Sequence, residues 1–490
     1  MSVRAAILLE QRTRTEGKSR TEIQKLIGES HSEIRSVESQ IADLESRLAS
    51  LVERRDRENL VVDALRHLIP PIQLPVELLV QIFGFAICME EQFGRYPHFQ
   101  DAYRVSHVCS HWREISFSTP HLWTGPVDVN LGEDGGADGF RTWLSRSAPM
   151  SVPILLTWFP GKDVAHPVLE ELLAISPRWR SLHLRQYAPA WFFMRLAEHR
   201  LESLEEVNLG LVPDGVGTSA LPIFGAAPLL RKLDVVPTSR LNMPWMQLND
   251  LALRNGTAPD TSLDILAQCA NLVTAYVGTL PWTPSRTEII TLAHLRTLEL
   301  EFFECGPETH FMPFLDSLFA PTLTSLSLSF RLHCPWLVSA FTAFQLRSPH
   351  LTSLELSHAS LTSDDLRAVL FHAPLLSDLS LRLCPYCVDD TLFLALHYES
   401  GSKPLVPHLR NLSLQGTSPT TLSDNILVGM IASRWWTDAE EESRTAPAAI
   451  ARWERVELEL QTIKFSQKFE DMLGDLRRSG LHIGCGDTIQ

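Results

Sequence analysis

A chain of 490 residues with 44% hydrophobic and 21% charged side chains has the make-up of a folded globular protein, not of a disordered or fibrous one. Its 58 acidic against 43 basic residues give a formal net charge of -15, which repels a phosphate backbone and argues against a nucleic-acid partner. Eight cysteines over that length are too sparse for a disulfide scaffold and read as reduced thiols.

The chain opens on a short apolar run, Ala5 to Leu9, cut off by Glu10, Arg12 and Arg14, with neither the core nor the cleavage site of a signal peptide. Residues 1–69 form the first region. Ile34, Val37, Ile41, Leu44, Leu48 and Leu51 alternate steps of three and four, which lines them up on one helical stripe and predicts a coiled-coil seam. Residues 1–70 carry 12 basic and 12 acidic side chains, so the outer faces are solvated and the net charge belongs to the rest of the chain. Self-association through residues 23–66 and a single amphipathic helix folded back on the rest of the protein are both open readings.

A second region, residues 70–124, starts at Pro70-Pro71, which ends the long helix because proline lacks an N–H and disfavours helical geometry before it. Pro75 and Glu77 suit the first turn of a new helix, with Leu79, Ile82, Phe83 and Ala86 at helical spacing. The stretch Leu74 to Ile87 is the most apolar of the chain, but it falls short of the roughly 20 residues a membrane helix needs. A polar loop, Glu90 to Gln100, precedes a second helical pattern, Val105, Val108, Trp112 and Ile115, which closes near Thr119-Pro120 and His121-Leu122-Trp123. Two such short helices cannot bury their own apolar faces and need a cover.

The strings Ile72-Gln-Leu-Pro-Val-Glu-Leu-Leu-Val-Gln-Ile-Phe83, Arg104-Val-Ser-His-Val-Cys-Ser-His-Trp-Arg113 and Pro120-His-Leu-Trp123 resemble an F-box. The Leu-Pro-x-Glu-Leu start, the Val-Cys-x-x-Trp-Arg segment and the closing Leu-Trp fall in the family's order. The gap from Phe83 to Val105, which contains Pro97, is longer than usual and leaves the helix boundaries between them open. A heptad helix ahead of an F-box is similar to the F-box-like proteins of mushroom-forming fungi. The resemblance implies docking onto the Skp-type adaptor of a cullin-RING ubiquitin ligase. Leu74, Pro75, Leu78, Ile82, Val108, Cys109 and Trp112 match the family's adaptor-facing and core positions.

Residues 125–150, with the Gly-rich break Gly132 to Gly139, read as a linker and helix, and residues 151–490 as the last region. Here Leu-x-x-Leu-x-Leu recurs, the period-two mark of short strands buried on one face. Its central positions are Leu182, Val207, Leu233, Leu251, Ala275, Leu298, Leu326, Leu354, Leu379, Leu412 and Val456, at intervals of 18 to 44 residues, most of them between 23 and 28. The pattern resembles the leucine-rich repeats that accompany an F-box. That implies an α/β solenoid with a concave parallel sheet and helices outside. On such a sheet Glu299, Glu301, Ser327, Ser329, Glu355, Ser357, Ser380 and Arg382 alternate with the buried leucines and line the inner face, either as a site for a target protein with a basic segment or as a merely solvated surface. Val152 to Trp158 reads as a strand capping the array, and Asp438 to Ala449 as an insertion loop.

Cys384-Pro-Tyr-Cys387 is the redox tetrapeptide of glutaredoxins, but it falls in step with the repeats and has no glutaredoxin-like unit around it. No second Cys-x-x-Cys or paired-histidine spacing completes a zinc site, and His107 and His111 read as helix residues, not ligands. No Gly-x-Ser-x-Gly, His-Glu-x-x-His, phosphate-loop or dinucleotide glycine pattern is present. The expectation is a non-catalytic substrate-recognition subunit of a Skp-cullin-F-box ligase, without metal or cofactor, in cytoplasm or nucleus, binding an adaptor, through it cullin, and a target protein. The alternatives are a non-degradative scaffold oligomerising through its N-terminal helix and a thiol oxidoreductase.

Overall fold

A computed structural model describes residues 3–68, 74–88, 98–130, 137–157, 167–185, 189–211, 224–225, 227–236, 243–280, 288–303, 311–331, 336–399, 401–416, 422–442, 449–460 and 466–485. The chain divides into two compact units, residues 1–82 with 104–116, and residues 83–103 with 117–490. Among the described residues no helix is long and apolar enough to cross a membrane.

The N-terminal region is two helices, α1 (Val3–Thr15) and α2 (Arg20–Leu68), where the sequence reads as one patterned segment. Gly17, at φ +89°, takes the left-handed conformation that ends α1. A capping box then starts α2: Glu22 N donates to Ser19 Oγ at 3.4 Å and Ser19 N donates to Glu22 Oε2 at 2.8 Å. The backbone hydrogen bond from Ser19 holds the Glu22 carboxyl below its ordinary range. Pairs at i,i+4, Lys25–Glu29, Asp43–Arg47 and Glu53–Arg57, add a few tenths of a kcal/mol each to a helix of 49 residues. Ile34, Val37, Ile41, Leu44, Leu48 and Leu51 are all exposed on the helix.

Then come α3 (Val76–Cys88), α4 (His98–Ser106) and α5 (Ser110–Ser118), followed by a 3-10 turn, Pro120–Trp123. Pro70-Pro71 and most of the Glu90 to Gln100 stretch lie outside the described residues. The pattern from Val105 to Ile115, read as one helix, is broken at His107–Cys109. His107 N and Val108 N donate back to Arg104 O and Val105 O and tighten the end of α4. On α3 the buried stripe is Leu79, Phe83 and Ile87; Ile82 and Ala86, expected with it, are exposed.

Among the described residues sixteen strands follow. They are β1 (Val127–Asn130), β2 (Val152–Thr157), β3 (Trp179–Leu184), β4 (Glu206–Leu211), β5 (Lys232–Val236), β6 (Asp250–Thr257), β7 (Thr274–Thr279) and β8 (Ile290–Thr291). The rest are β9 (Thr297–Phe302), β10 (Leu318–Phe319), β11 (Ser325–Phe330), β12 (Ser353–Ser357), β13 (Asp378–Arg382), β14 (Asn411–Gln415), β15 (Arg455–Glu459) and β16 (His482–Cys485). Fourteen form one sheet in chain order, with β8 and β10 paired apart from it. Every pairing is parallel, and nearly all links between sheet strands hold a helix or a 3-10 turn.

The eleven central positions of the repeat pattern are partners of one another in consecutive strands, from Leu182 opposite Val207 to Leu412 opposite Val456. All eleven are buried. The row extends to Ile154 and Val127 on one side and Ile483 on the other. The sheet therefore begins at Val127, inside the stretch 125–150 read as linker, which holds β1 and α6 (Ala137–Ser147). Most of the Gly132 to Gly139 break, and Trp158, lie outside the described residues. Since β1 pairs beyond β2, the strand Val152–Thr157 is not the edge. The acidic stretch read as an insertion loop starts as a short helix, Asp438–Glu442, whose Asp438 accepts from Arg452 at 2.6 Å.

Helix starts are linked from one unit to the next. Ser423 N donates to Asp390 Oδ1 at 2.7 Å, Ser466 N donates to Asp424 Oδ2 at 3.0 Å, and Thr391 Oγ1 donates to Ser363 Oγ at 3.0 Å. The first two satisfy backbone donors that a helix leaves open, and all three tie neighbouring helices together.

Candidate functional site

Two surfaces stand out. The first is on the helical region before the sheet. Leu74, Pro75, Val76, Leu78 and Ile82 are exposed while Leu79 beside them is fully buried. Leu78 and Ile82, one turn apart, keep 46% and 45% of their surface in water, and Phe85 on the following turn keeps 72%. α3 thus has two apolar faces, one used and one free, which is unusual for a helix packed on one side only. Val108 is exposed at 53%, and Cys109 and Trp112 are half-buried. Cys109 has a local task that the sequence reading missed: its Sγ accepts from Trp112 N at 3.4 Å and its carbonyl from Arg113 N at 3.0 Å, so it caps α5. Phe85 was also missed, although its spacing of three from Ile82 and seven from Leu78 is that of a helical face; the exposed Val76, two residues before Leu78, lies off that face.

The segment closes on an aromatic cage. Tyr103 meets Trp123 edge-on at 5.1 Å, and Phe117 lies 6.0 Å from the same ring. Arg146, from α6, puts its guanidinium 3.9 Å from the Phe117 centroid, 4.6 Å from Trp123 and 5.0 Å from Tyr103. The family model described as F-box-like matches residues 72–127. This chain carries an F-box-like domain. No curated protein matches the chain.

The free apolar residues therefore belong to the F-box-like domain, and the four residues of the cage all lie within the second unit. The second surface is the sheet face opposite the buried leucine row. All eight side chains expected there share it. Glu299, Ser327, Glu355 and Ser380 are register partners in one row, and Glu301, Ser329, Ser357 and Arg382 in the next. The first row continues into Tyr276, Ala252 and Asp234 on one side and Ser413 and Glu457 on the other.

An ion-pair chain crosses this face that the sequence did not disclose. Arg254 Nε reaches both Asp234 carboxylate oxygens at 2.9 Å, and its guanidinium lies 4.8 Å from the Tyr276 centroid. The Tyr276 hydroxyl donates to Glu301, which also accepts from Arg331 Nε at 2.9 Å, and Arg331 stacks 4.1 Å from the Phe303 centroid. Burial, then the Glu301 hydrogen bond, pushes the Tyr276 phenol up to about 12. Gly278 keeps the surface open: a Cβ there would stand 2.7 Å from Phe303 Cε2. Nearer the first strands, Lys232 Nζ pairs with Glu206 at 3.2 Å, and burial raises the Asp250 carboxyl above its ordinary range. Acids and cations alternate here, so the face presents fixed charges with hydroxyls between them, suited to reading a complementary protein surface.

Cys384 and Cys387 are both fully buried. Cys384 Sγ lies 3.4 Å from Leu356 O and 3.3 Å from Arg382 O, and Cys387 Sγ lies 3.8 Å from Cys384 O. Thiol–disulfide exchange needs an accessible sulfur, and neither is one.

Proposed function

We propose that this chain is a non-catalytic substrate-recognition subunit of a Skp-cullin-F-box ubiquitin ligase, working in cytoplasm or nucleus. The observation that carries the reading is the set of exposed apolar side chains of the F-box-like domain, Leu78 and Ile82 on one face of α3, with Leu74, Val76 and Val108 also in water. F-box domains generally bind Skp-type adaptors, and each apolar side chain buried in such a groove contributes roughly 1.5–3 kcal/mol. Pro75 lies beside this face, and Cys109 and Trp112 shape its second helix. We further propose that the parallel strands and their helices are leucine-rich repeats stacked as a solenoid, and that the face bearing Glu299, Glu301, Ser327, Ser329, Glu355, Ser357, Ser380 and Arg382 takes the target protein. Tethering would raise the target's effective concentration at the transferase, with no bond made or broken in this chain.

The test is co-purification of Skp-type adaptor and cullin with the wild-type chain and with Leu78→Glu and Ile82→Glu variants. Both positions are exposed, so the variants should melt with the wild type while losing adaptor at least about 100-fold, since a carboxylate cannot enter an apolar groove unpaired. Adaptor captured equally by all three chains, or by none, sinks the reading; capture by none moves a non-degradative scaffold to first place.

A further inference from the structure

The longest helix of the chain, α2, has a free apolar seam whose charges specify what covers it. We infer that α2 pairs with α2 of a second copy of this chain in an antiparallel coiled coil, in the register that sets Ile34 against Leu51, Val37 against Leu48 and Ile41 against Leu44 of that copy. In heptad terms Ile27, Ile34, Ile41, Leu48, Arg55 and Val62 hold one core position, and Ile23, Ser30, Val37, Leu44, Leu51, Glu58 and Leu65 the other. The unbroken apolar block is Ile34 to Leu51, and every one of its six seam residues is exposed. Only two arrangements lay that block wholly on itself: a parallel pair in register, and an antiparallel pair centred between Ala42 and Asp43.

Charge decides between them. A parallel pair stacks Arg55 on Arg55 and Glu58 on Glu58 in the core, and its flanks set Glu33 against Glu38. The antiparallel pair sets Arg55 against Ser30, polar against polar, at both ends of the apolar block, and Ile23 against Val62 beyond it. Its flanks place Glu33 of each copy opposite Arg54 of the other, two symmetric ion pairs of an isologous interface, which offset the like-charged Glu38 and Glu45 that meet on the other flank. The layer Ile27 against Glu58 is the mismatch, and it lies outside the central block. The single chain supports the same pairing. Asp43, Glu53 and Asp56 already hold Arg47, Arg57 and Arg55 along the helix, whereas neither Glu33 nor Arg54 has an ion-pair partner among the described residues. Antiparallel pairing also carries the two F-box-like domains to opposite ends of a rod about 75 Å long, at about 1.5 Å of rise per residue.

The test uses the full chain. Sedimentation equilibrium of the wild type should give a dimer. Glu33→Arg should weaken it about tenfold in Kd, because it places Arg against Arg54, and Arg54→Glu likewise, while the double swap Glu33→Arg, Arg54→Glu should restore it. In a parallel coil Glu33→Arg would face Glu38 and tighten the dimer. Mixing a Val37→Cys chain with a Leu48→Cys chain under oxidation should give a disulfide between positions 37 and 48, read by mass spectrometry of linked peptides. A monomeric wild type, a tighter Glu33→Arg dimer, or links only between identical positions would each overturn the inference. These outcomes do not touch the adaptor reading, which rests on different residues.

Discussion

The guanidinium of Arg434 lies 5.6 Å from the Trp453 ring centroid, and both side chains are closed off from water. Arg434 donates to three backbone carbonyls, of Leu396 and Val406 at 3.0 Å and of Leu405 at 2.6 Å. Burial brings its pKa down to about 10, still above neutral pH, so the buried guanidinium stays charged among those acceptors. Val406 is held at φ 44°, a region costly for a β-branched residue, and its carbonyl is one of the three. Arg434→Met would leave the Leu396 and Leu405 carbonyls without a donor, while Val406 O keeps Leu409 N at 3.2 Å, so at about 1–3 kcal/mol each a loss of at least about 2 kcal/mol is expected. The midpoint of denaturant unfolding of the full chain measures it, with Arg434→Lys falling between.

At the F-box-like end, Arg146 faces Phe117, Trp123 and Tyr103. Its Nη1 is buried with no hydrogen-bond acceptor among the described residues, so the rings and the aliphatic stem supply the stabilisation. Arg146→Ala is expected to lower stability by about 1–2 kcal/mol, and Arg146→Met by less, because the thioether refills the cage without a charge to desolvate. Hydrogen exchange over residues 117–124 checks both: faster exchange should rank Ala, then Met, then wild type.

The buried row of the sheet was legible in the sequence because a parallel ladder puts equivalent residues opposite one another. Leu298, Leu326 and Leu354 repeat in sequence as they stack in space. The same period placed Glu299 through Arg382 on the opposite face. β1 and β16 escaped because four residues hold too few alternations, and β16 interposes Gly484. The break between α4 and α5 was hidden by a helical spacing that runs on through a three-residue turn, and by a cap that is a sulfur, outside the usual serine, threonine, aspartate and asparagine. The chain Asp234–Arg254–Tyr276–Glu301–Arg331 was illegible for another reason. β6 ends in Asn255 and Gly256 at positive φ, where its register to β7 shifts, and no repeat pattern announces such an end.

Tyr276 gives that ion-pair chain a measurable signature. Its folded pKa of about 12 lies above the roughly 10 of an unfolded tyrosine. The stabilisation tied to its proton is therefore whole below about pH 10 and is lost as pH rises through 12. Tyr276→Phe removes the titrating group. Stability of the variant should fall less steeply than wild type between about pH 10 and 12, and the latest-ionising phenolate should vanish from the ultraviolet titration.

The buried thiols allow the oxidoreductase alternative to be judged directly. Cys269, Cys384 and Cys387 are all fully buried, and burial alone pushes Cys269 up to about 12. The Cys384 hydrogen bond, with burial, holds Cys387 well above the ordinary thiol range, while that same bond draws Cys384 down against its own desolvation. Acidity without access gives no nucleophile, because attack requires a disulfide to approach the sulfur in line. Iodoacetamide at pH 8 should accordingly modify the half-buried Cys109 in the native chain, spare these three, and reach all four after denaturation, as read by peptide mass spectrometry. Native labelling of Cys384 at the rate of Cys109 would mean that the strand-to-helix link carrying it opens, and would return redox chemistry to consideration.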